Sequence, residues 1–179
     1  VVRVVPREIH GQAGDLVPVR EVRRQTALGM VELGFVGRLP QGLVVFGAVA
    51  LAVHGLPRAT EDLDLFIPPD RENIERLKSA LRTVFDDPCI DEITAEDLLG
   101  DYPAVQYVPP EGTFHLDLLT RLGELYEFAS LESERLTFSG LSVSVVTRRM
   151  LYRMKKATVR PKDWADAASI VDAFGPQED

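Results

Sequence analysis

Asp62-Leu63-Asp64-Leu65-Phe66-Ile67 alternates acid and apolar residues and is broken by Pro68-Pro69, which is strand periodicity with a stop. Side chains two apart on a strand share a face about 6.6 Å apart, so Asp62 and Asp64 project together while Leu63 and Leu65 enter the core behind them. Such a pair can hold one hard divalent ion, or two at roughly 3.5–4 Å, and leave positions for phosphate oxygens and water. Taken alone, it can equally be a polar sheet face with solvated aspartates.

Outward from this strand the pattern is α/β. Leu43 to Phe46 reads as a short buried strand and Ala48 to His54 as an apolar helix stopped by Gly55 and Pro57. Downstream, Asp70 looks like an N-cap, and Ile74, Leu77, Leu81 and Val84 recur at helical spacing, predicting a helix over 71–85 with one face on a sheet. Residues 86–102 read as a loop with one short helix. Ala104 to Val108 and Thr113 to Leu119 form two strands joined across Pro109-Pro110-Glu111-Gly112. Leu122 to Leu131 is a weak helix or loop, and Leu136 to Phe138 with Leu141 to Val146 makes a hairpin across Ser139-Gly140.

Thr147 should cap a helix from Arg148 to about Thr158. Pro161 suits the first turn of a last helix with an apolar stripe of Trp164, Ala167, Val171 and Phe174. Before the first strand, residues 1–18 read as an irregular arm and Val19 to Phe35 as a loosely periodic helix, so the domain proper spans 19–179.

The 179 residues suffice for one domain with a real core, and 45% hydrophobic with 27% charged residues excludes disordered and coiled-coil readings. A net charge of −8 repels polyanions at long range, so any phosphate partner must meet a local basic cluster. The longest apolar run, Leu43 to Val53, is about half of the ~20 residues that cross a bilayer. No secretory signal is expected from residues 1–8, and with a solitary Cys89 the expected compartment is the cytoplasm.

A third acid, Asp117, shares a strand face with His115 between Leu116 and Leu118. It could join Asp62 and Asp64 or be a paired structural acid. A basic window of Arg148, Arg149, Arg153, Lys155, Lys156, Arg160 and Lys162 contains no acid before Asp163. Lys155, four residues after Leu151, borders the buried side, whereas Arg149, Arg153 and Lys156 read as a solvated face. Asp163 and Asp166 can complement the dipole of the last helix, or Asp166 can pair with Lys155 or Arg160. His54 sits where a helix end favours a cation. Arg58 and Thr60 lie in the turn before the acids, where Arg58 can touch phosphate or shape the turn.

The run Phe46-Gly47-Ala48 to His54-Gly55, Arg58-Ala59-Thr60 and Asp62-Leu63-Asp64 resembles the first signature of the nucleotidyltransferase superfamily, in particular its AbiEii-type and related toxin-like members. Met154-Lys155-Lys156 through Arg160-Pro161-Lys162-Asp163 to Asp166 resembles the second, so the resemblance covers about residues 43–170. It implies a mixed β-sheet flanked by helices with C-terminal helices packed alongside. It also implies Mg2+ or Mn2+ bound by Asp62, Asp64 and Asp117, with Lys155 and Asp166 (or Asp163) in catalysis. The nucleoside triphosphate substrate would be met by Gly47, Ala48, Arg58, Lys155, Arg160 and Lys162. The implied reaction moves a nucleoside monophosphate to an acceptor hydroxyl on RNA, protein or a small molecule, with an antitoxin among the partners.

Ala48 departs from the pattern, which commonly has Ser or Gly there. It keeps open a catalytically silent nucleotide-binding or partner-binding module. A metal-dependent phosphoesterase is disfavoured by the absence of a His-rich ligand cluster.

Overall fold

A computed structural model describes residues 2–4, 42–110, 114–138 and 140–177. The helix expected over 19–35, most of the arm expected over 1–18, Glu111 and Gly112 of the expected loop with Thr113 of the strand expected after it, and Ser139 of the expected hairpin turn lie outside them. The core is a seven-stranded mixed sheet of β1 (Val2–Val4), β2 (Val44–Phe46), β3 (Asp62–Phe66), β4 (Ala104–Tyr107), β5 (His115–Leu119), β8 (Ser133–Phe138) and β9 (Leu141–Val146). Their order across the sheet is β1-β4-β5-β3-β2-β9-β8. The β3–β5 and β2–β9 pairs are parallel and the rest antiparallel.

β1 is the first departure from expectation: Val2–Val4 is not irregular but pairs with Val105–Tyr107 as an edge strand. The second is at 121–130. Instead of a weak helix or loop, Arg121–Leu122 (β6) and Tyr126–Glu127 (β7) pair as a small ribbon, followed by a 3-10 turn at Phe128–Ser130. Two residues per strand are too few to show a period. β8 also begins earlier than expected, at Ser133.

The helices are α1 (Gly47–Val53), α2 (Arg71–Arg82), α3 (Ala95–Leu99), α4 (Arg148–Lys156) and α5 (Pro161–Phe174). Asp70 caps α2 by accepting from the Asn73 N–H at 2.9 Å, and Ile74, Leu77 and Leu81 from that helix are fully buried. Between α2 and β4 lie a 3-10 turn at Pro88–Glu92 and α3, closed by a capping box of Thr94 and Asp97. Tyr107, buried in the core, donates to Asp87 at 3.0 Å. Burial and that carboxylate push its phenol well above the ordinary range. Thr147 caps α4 through the Met150 N–H at 3.2 Å, and Pro161 occupies the first turn of α5.

On α4 the buried residues are Met150, Leu151, Met154 and Lys155, so Lys155 does point inward. The stripe expected on α5 is corrected. Trp164 is 55% exposed, and the buried face is Asp163, Asp166, Ala167 and Ile170. No helix among the described residues is long and apolar enough to cross a membrane.

Candidate functional site

Parallel pairing of β3 with β5 sets Asp64 opposite Asp117 and Asp62 opposite His115. Antiparallel pairing of β4 with β5 sets Gln106 opposite Asp117, and β2 sets Phe46 opposite Asp64. Cross-strand partners share a face, so Gln106, Asp117, Asp64 and Phe46 form one row across four strands, with Asp62 and His115 beside it. Both β3 acids are thus fixed by the apolar residues that alternate with them, since Leu63 and Leu65 are wholly buried on the opposite face.

The surroundings of the three acids differ. Asp64 is 7% exposed, whereas the Asp62 side chain at the start of β3 is half-exposed and lies 2.9 Å from His115 Nε2. The hydrogen bond with Asp62 holds the His115 imidazole above its ordinary range. Burial opposes this, and the charges of Asp62, Asp117 and Asp64 add to it. Asp117 Oδ1 accepts from Gln106 Nε2 at 3.1 Å.

Gly47 opens α1 at the end of β2 with φ +67°. A Cβ there would lie 2.0 Å from Asp64 Oδ2, so only glycine lets this backbone approach the carboxylate. The first turn of α1 receives no side-chain cap, and both Gly47 and Ala48 are buried.

Hard oxygen donors side by side on β3 suit a hard divalent cation in chemistry. The expected gathering of three carboxylates is nevertheless not preformed: among the described residues, no three His, Cys, Asp or Glu side chains are arranged to hold a metal ion. Asp117 is adjacent to Asp64 by register, with one oxygen turned to Gln106.

The second motif makes a cluster of its own. Lys155 Nζ sits 2.6 Å from Asp163 Oδ1 and 2.9 Å from Asp166 Oδ2, all three residues being more than nine-tenths buried. Thr158 donates its hydroxyl to Asp163 at 3.0 Å. Arg58 places Nε 3.1 Å from Asp166 Oδ1 and donates from Nη2 to Oδ2 at 3.1 Å. The guanidinium expected at phosphate is therefore engaged by Asp166, and the ammonium expected there is enclosed by two carboxylates. Two cations balance two anions, which is what permits α5 to turn acids inward.

Arg160 is half-buried at the N-cap of α5 and Lys162 is exposed on its first turn. The solvated face of α4 is partly paired, since Arg149 and Arg153 both reach Glu132. His54 ends α1 and bonds the Val146 carbonyl at 2.8 Å, a structural role at the helix end.

Burial alone would raise the Asp163 carboxyl, but the hydrogen bond and charge of Lys155, helped by Thr158 and Arg160, hold it below the ordinary range. Its contribution to stability is therefore complete above the ordinary carboxylate value near pH 4 and is lost as pH falls through the depressed one. The Asp163→Asn variant should flatten the loss of stability below about pH 4, read as urea midpoints against pH. An acid limb as steep as the parent's would remove Asp163 from that role.

Sequence reasoning misses His115 and Gln106 as members of the site. His115 is visible there on the face of Asp117, but its pairing with Asp62 depends on a parallel register that local periodicity does not encode.

The fold is shared with a known structure. A candidate nucleotidyltransferase from Thermotoga maritima superposes with a TM-score of 0.52 at 12% identity, over 80% of this chain and 91% of that one. An antigenic nucleotidyltransferase-like protein from Paracoccidioides brasiliensis gives a TM-score of 0.48 at 18% identity, over 87% of this chain and 77% of that one. No curated protein matches the sequence. The family model described as "Nucleotidyl transferase AbiEii toxin, Type IV TA system" matches residues 37–178, spanning both the acid row and the Lys155 cluster, and the chain belongs to that nucleotidyltransferase family.

Proposed function

We propose that this chain transfers a nucleoside monophosphate from a nucleoside triphosphate to an acceptor hydroxyl on RNA, protein or a small molecule, with an antitoxin as its cellular partner. The observation that carries the reading is the acid row of β3 and β5, lying on one sheet face in a chain of this family. Asp62 and Asp64 would hold a divalent ion, Mg2+ or Mn2+, with Asp117 beside them. Such an ion, when bound, neutralises charge that develops on the leaving pyrophosphate.

The remaining steps belong to the chain. Asp117, oriented by Gln106, accepts the proton of the acceptor hydroxyl. Gly47 keeps the β2–α1 backbone against Asp64. Arg160 and Lys162 supply positive charge toward the triphosphate, a role in which Lys162 is able to reach because its side chain is exposed.

The test incubates the protein with each α-labelled nucleoside triphosphate, Mg2+ and cell extract, then separates RNA, protein and small molecules. Asp62→Asn and Asp64→Asn should each reduce labelling by about a hundredfold or more, given that even outer-shell changes at metal sites cost about 10–100-fold. Unchanged labelling in both variants would remove the metal assignment. Nucleotide binding by the parent with no label transferred would leave a binding module instead of an enzyme.

A further inference from the structure

The segment between α1 and β3 has no regular structure, yet it sets where Asp62 stands, because Asp62 is the first residue of β3 and half-exposed. At its start, His54 is bonded to Val146 and the Leu56 N–H to Leu51 O. At its end, Thr60 Oγ1 accepts from the Asp62 N–H at 3.2 Å, and Glu61 O accepts from the His115 N–H at 2.9 Å. Between these, among the described residues, the ties of residues 57–59 to another element are one hydrogen bond, from Arg58 Nη2 to Asp166 Oδ2, and the ion pair of Arg58 Nε with Asp166 Oδ1, a nitrogen that makes no hydrogen bond. Pro57 has no N–H to give, and Ala59 is exposed.

Asp166 is itself immobilised. It shares Lys155 with Asp163, which in turn accepts from Thr158, so the charges alternate along Asp163, Lys155, Asp166 and Arg58. This series runs from α5 to α4, back to α5 and out to the loop ahead of the acids. It connects two sequence motifs about a hundred residues apart through side chains that are mostly withdrawn from water.

We infer that Arg58, clamped by Asp166, is a positioning residue that fixes the entry of β3 and thereby the Asp62 carboxylate. Lys155 and Asp163 serve to hold Asp166 for it. This rests on the metal-binding reading of Asp62 and deepens it: the second motif acts on the acids through the Arg58 loop. Arginine is required because its planar fork faces both carboxylate oxygens at once, one through the Nη2 hydrogen bond and the other through the Nε ion pair, which a lysine at the same place would not.

The test compares the parent with Arg58→Met, Arg58→Lys, Asp166→Asn and the Arg58→Met/Asp166→Asn double variant, all checked for a cooperative thermal transition. Metal-free amide NMR spectra form the first arm. Each single variant should shift the Glu61, Asp62 and Leu63 signals, with the double variant moving them no further than the larger single change. The second arm titrates Mn2+ by electron paramagnetic resonance, where each variant should weaken binding by about tenfold, as for outer-shell partners of metal ligands. Labelling with nucleotide should show kcat reduced at a KM within about twofold of the parent's.

Unmoved amides at 61–63 in Arg58→Met would overturn the inference. So would a raised nucleotide KM with kcat and Mn2+ affinity intact, which would make Arg58 a phosphate contact. If Asp62→Asn also leaves Mn2+ affinity unchanged, the metal reading is what fails, and the amide shifts alone decide the role of Arg58. Arg58→Lys behaving as the parent in all arms would likewise refute the fork argument.

Discussion

Lys155→Met should lower the folding free energy by about 3–5 kcal/mol, the cost of leaving buried charge without its partner, and this is a large share of the roughly 5–15 kcal/mol available to a domain. Methionine has a similar length and fits the apolar surroundings of Met150, Leu151 and Met154, so the loss comes from charge and not from a cavity. Among the described residues, Asp163 would keep Thr158 alone as a side-chain hydrogen-bond donor, and Asp166 would keep Arg58. Two further measurements separate this account from simple loss of packing. The deficit should shrink as pH is lowered through the carboxylate range, because a protonated acid no longer needs a cation, and Lys155→Met/Asp163→Asn should recover part of it. A loss below about 1 kcal/mol by urea denaturation would place the cluster with solvent-screened surface pairs and sink the argument.

Gly47→Ala should damage both stability and transfer, through two separable causes. A left-handed backbone costs an L-residue about 1–2 kcal/mol wherever it occurs. At Gly47 the added Cβ would also lie 2.0 Å from Asp64 Oδ2 and 2.8 Å from its Cγ. Asp64 cannot yield by sliding its strand, because Leu63 and Leu65 are locked in the core on either side of it. The carboxylate must therefore rotate, and labelling should fall about as far as in Asp64→Asn. Gly140→Ala is the control: φ is +80° in the β8–β9 turn, but among the described residues nothing lies within 4 Å of the methyl group that alanine would add there. It should lose only the backbone share of the stability and keep its activity. Equal activities for the two variants would show that the Gly47 contact does not matter to Asp64.

Much of this arrangement is legible in the sequence because local rules dictate it. Asp70 and Thr147 cap helices as short oxygen-bearing side chains ahead of apolar periods do, and Pro161 marks a first turn. Asp62 and Asp64 follow from the period of two. What escapes is long-range. The parallel register that brings His115 to Asp62 has no local signature. The buried face of α5 escapes because acids are ordinarily assigned to solvent, although Asp163, Asp166, Ala167 and Ile170 also fall at helical spacing. Lys155 and Arg58, from elsewhere in the chain, supply the two cations that make burial of that face tolerable, with Thr158 helping at Asp163. The small β6–β7 ribbon is too short to announce itself.

β2 sits between β3 and β9, and its partner on one side is Val145, a hundred residues further along from Val45. During synthesis, Gly47 and both β3 aspartates leave the ribosome long before the strand that completes their support. Pairing at such separation is entropically slow and comes late. The acid face of a nascent or truncated chain ending before residue 141 thus lacks the neighbour that seats the Gly47 strand, which couples the assembly of this surface to completion of the polypeptide.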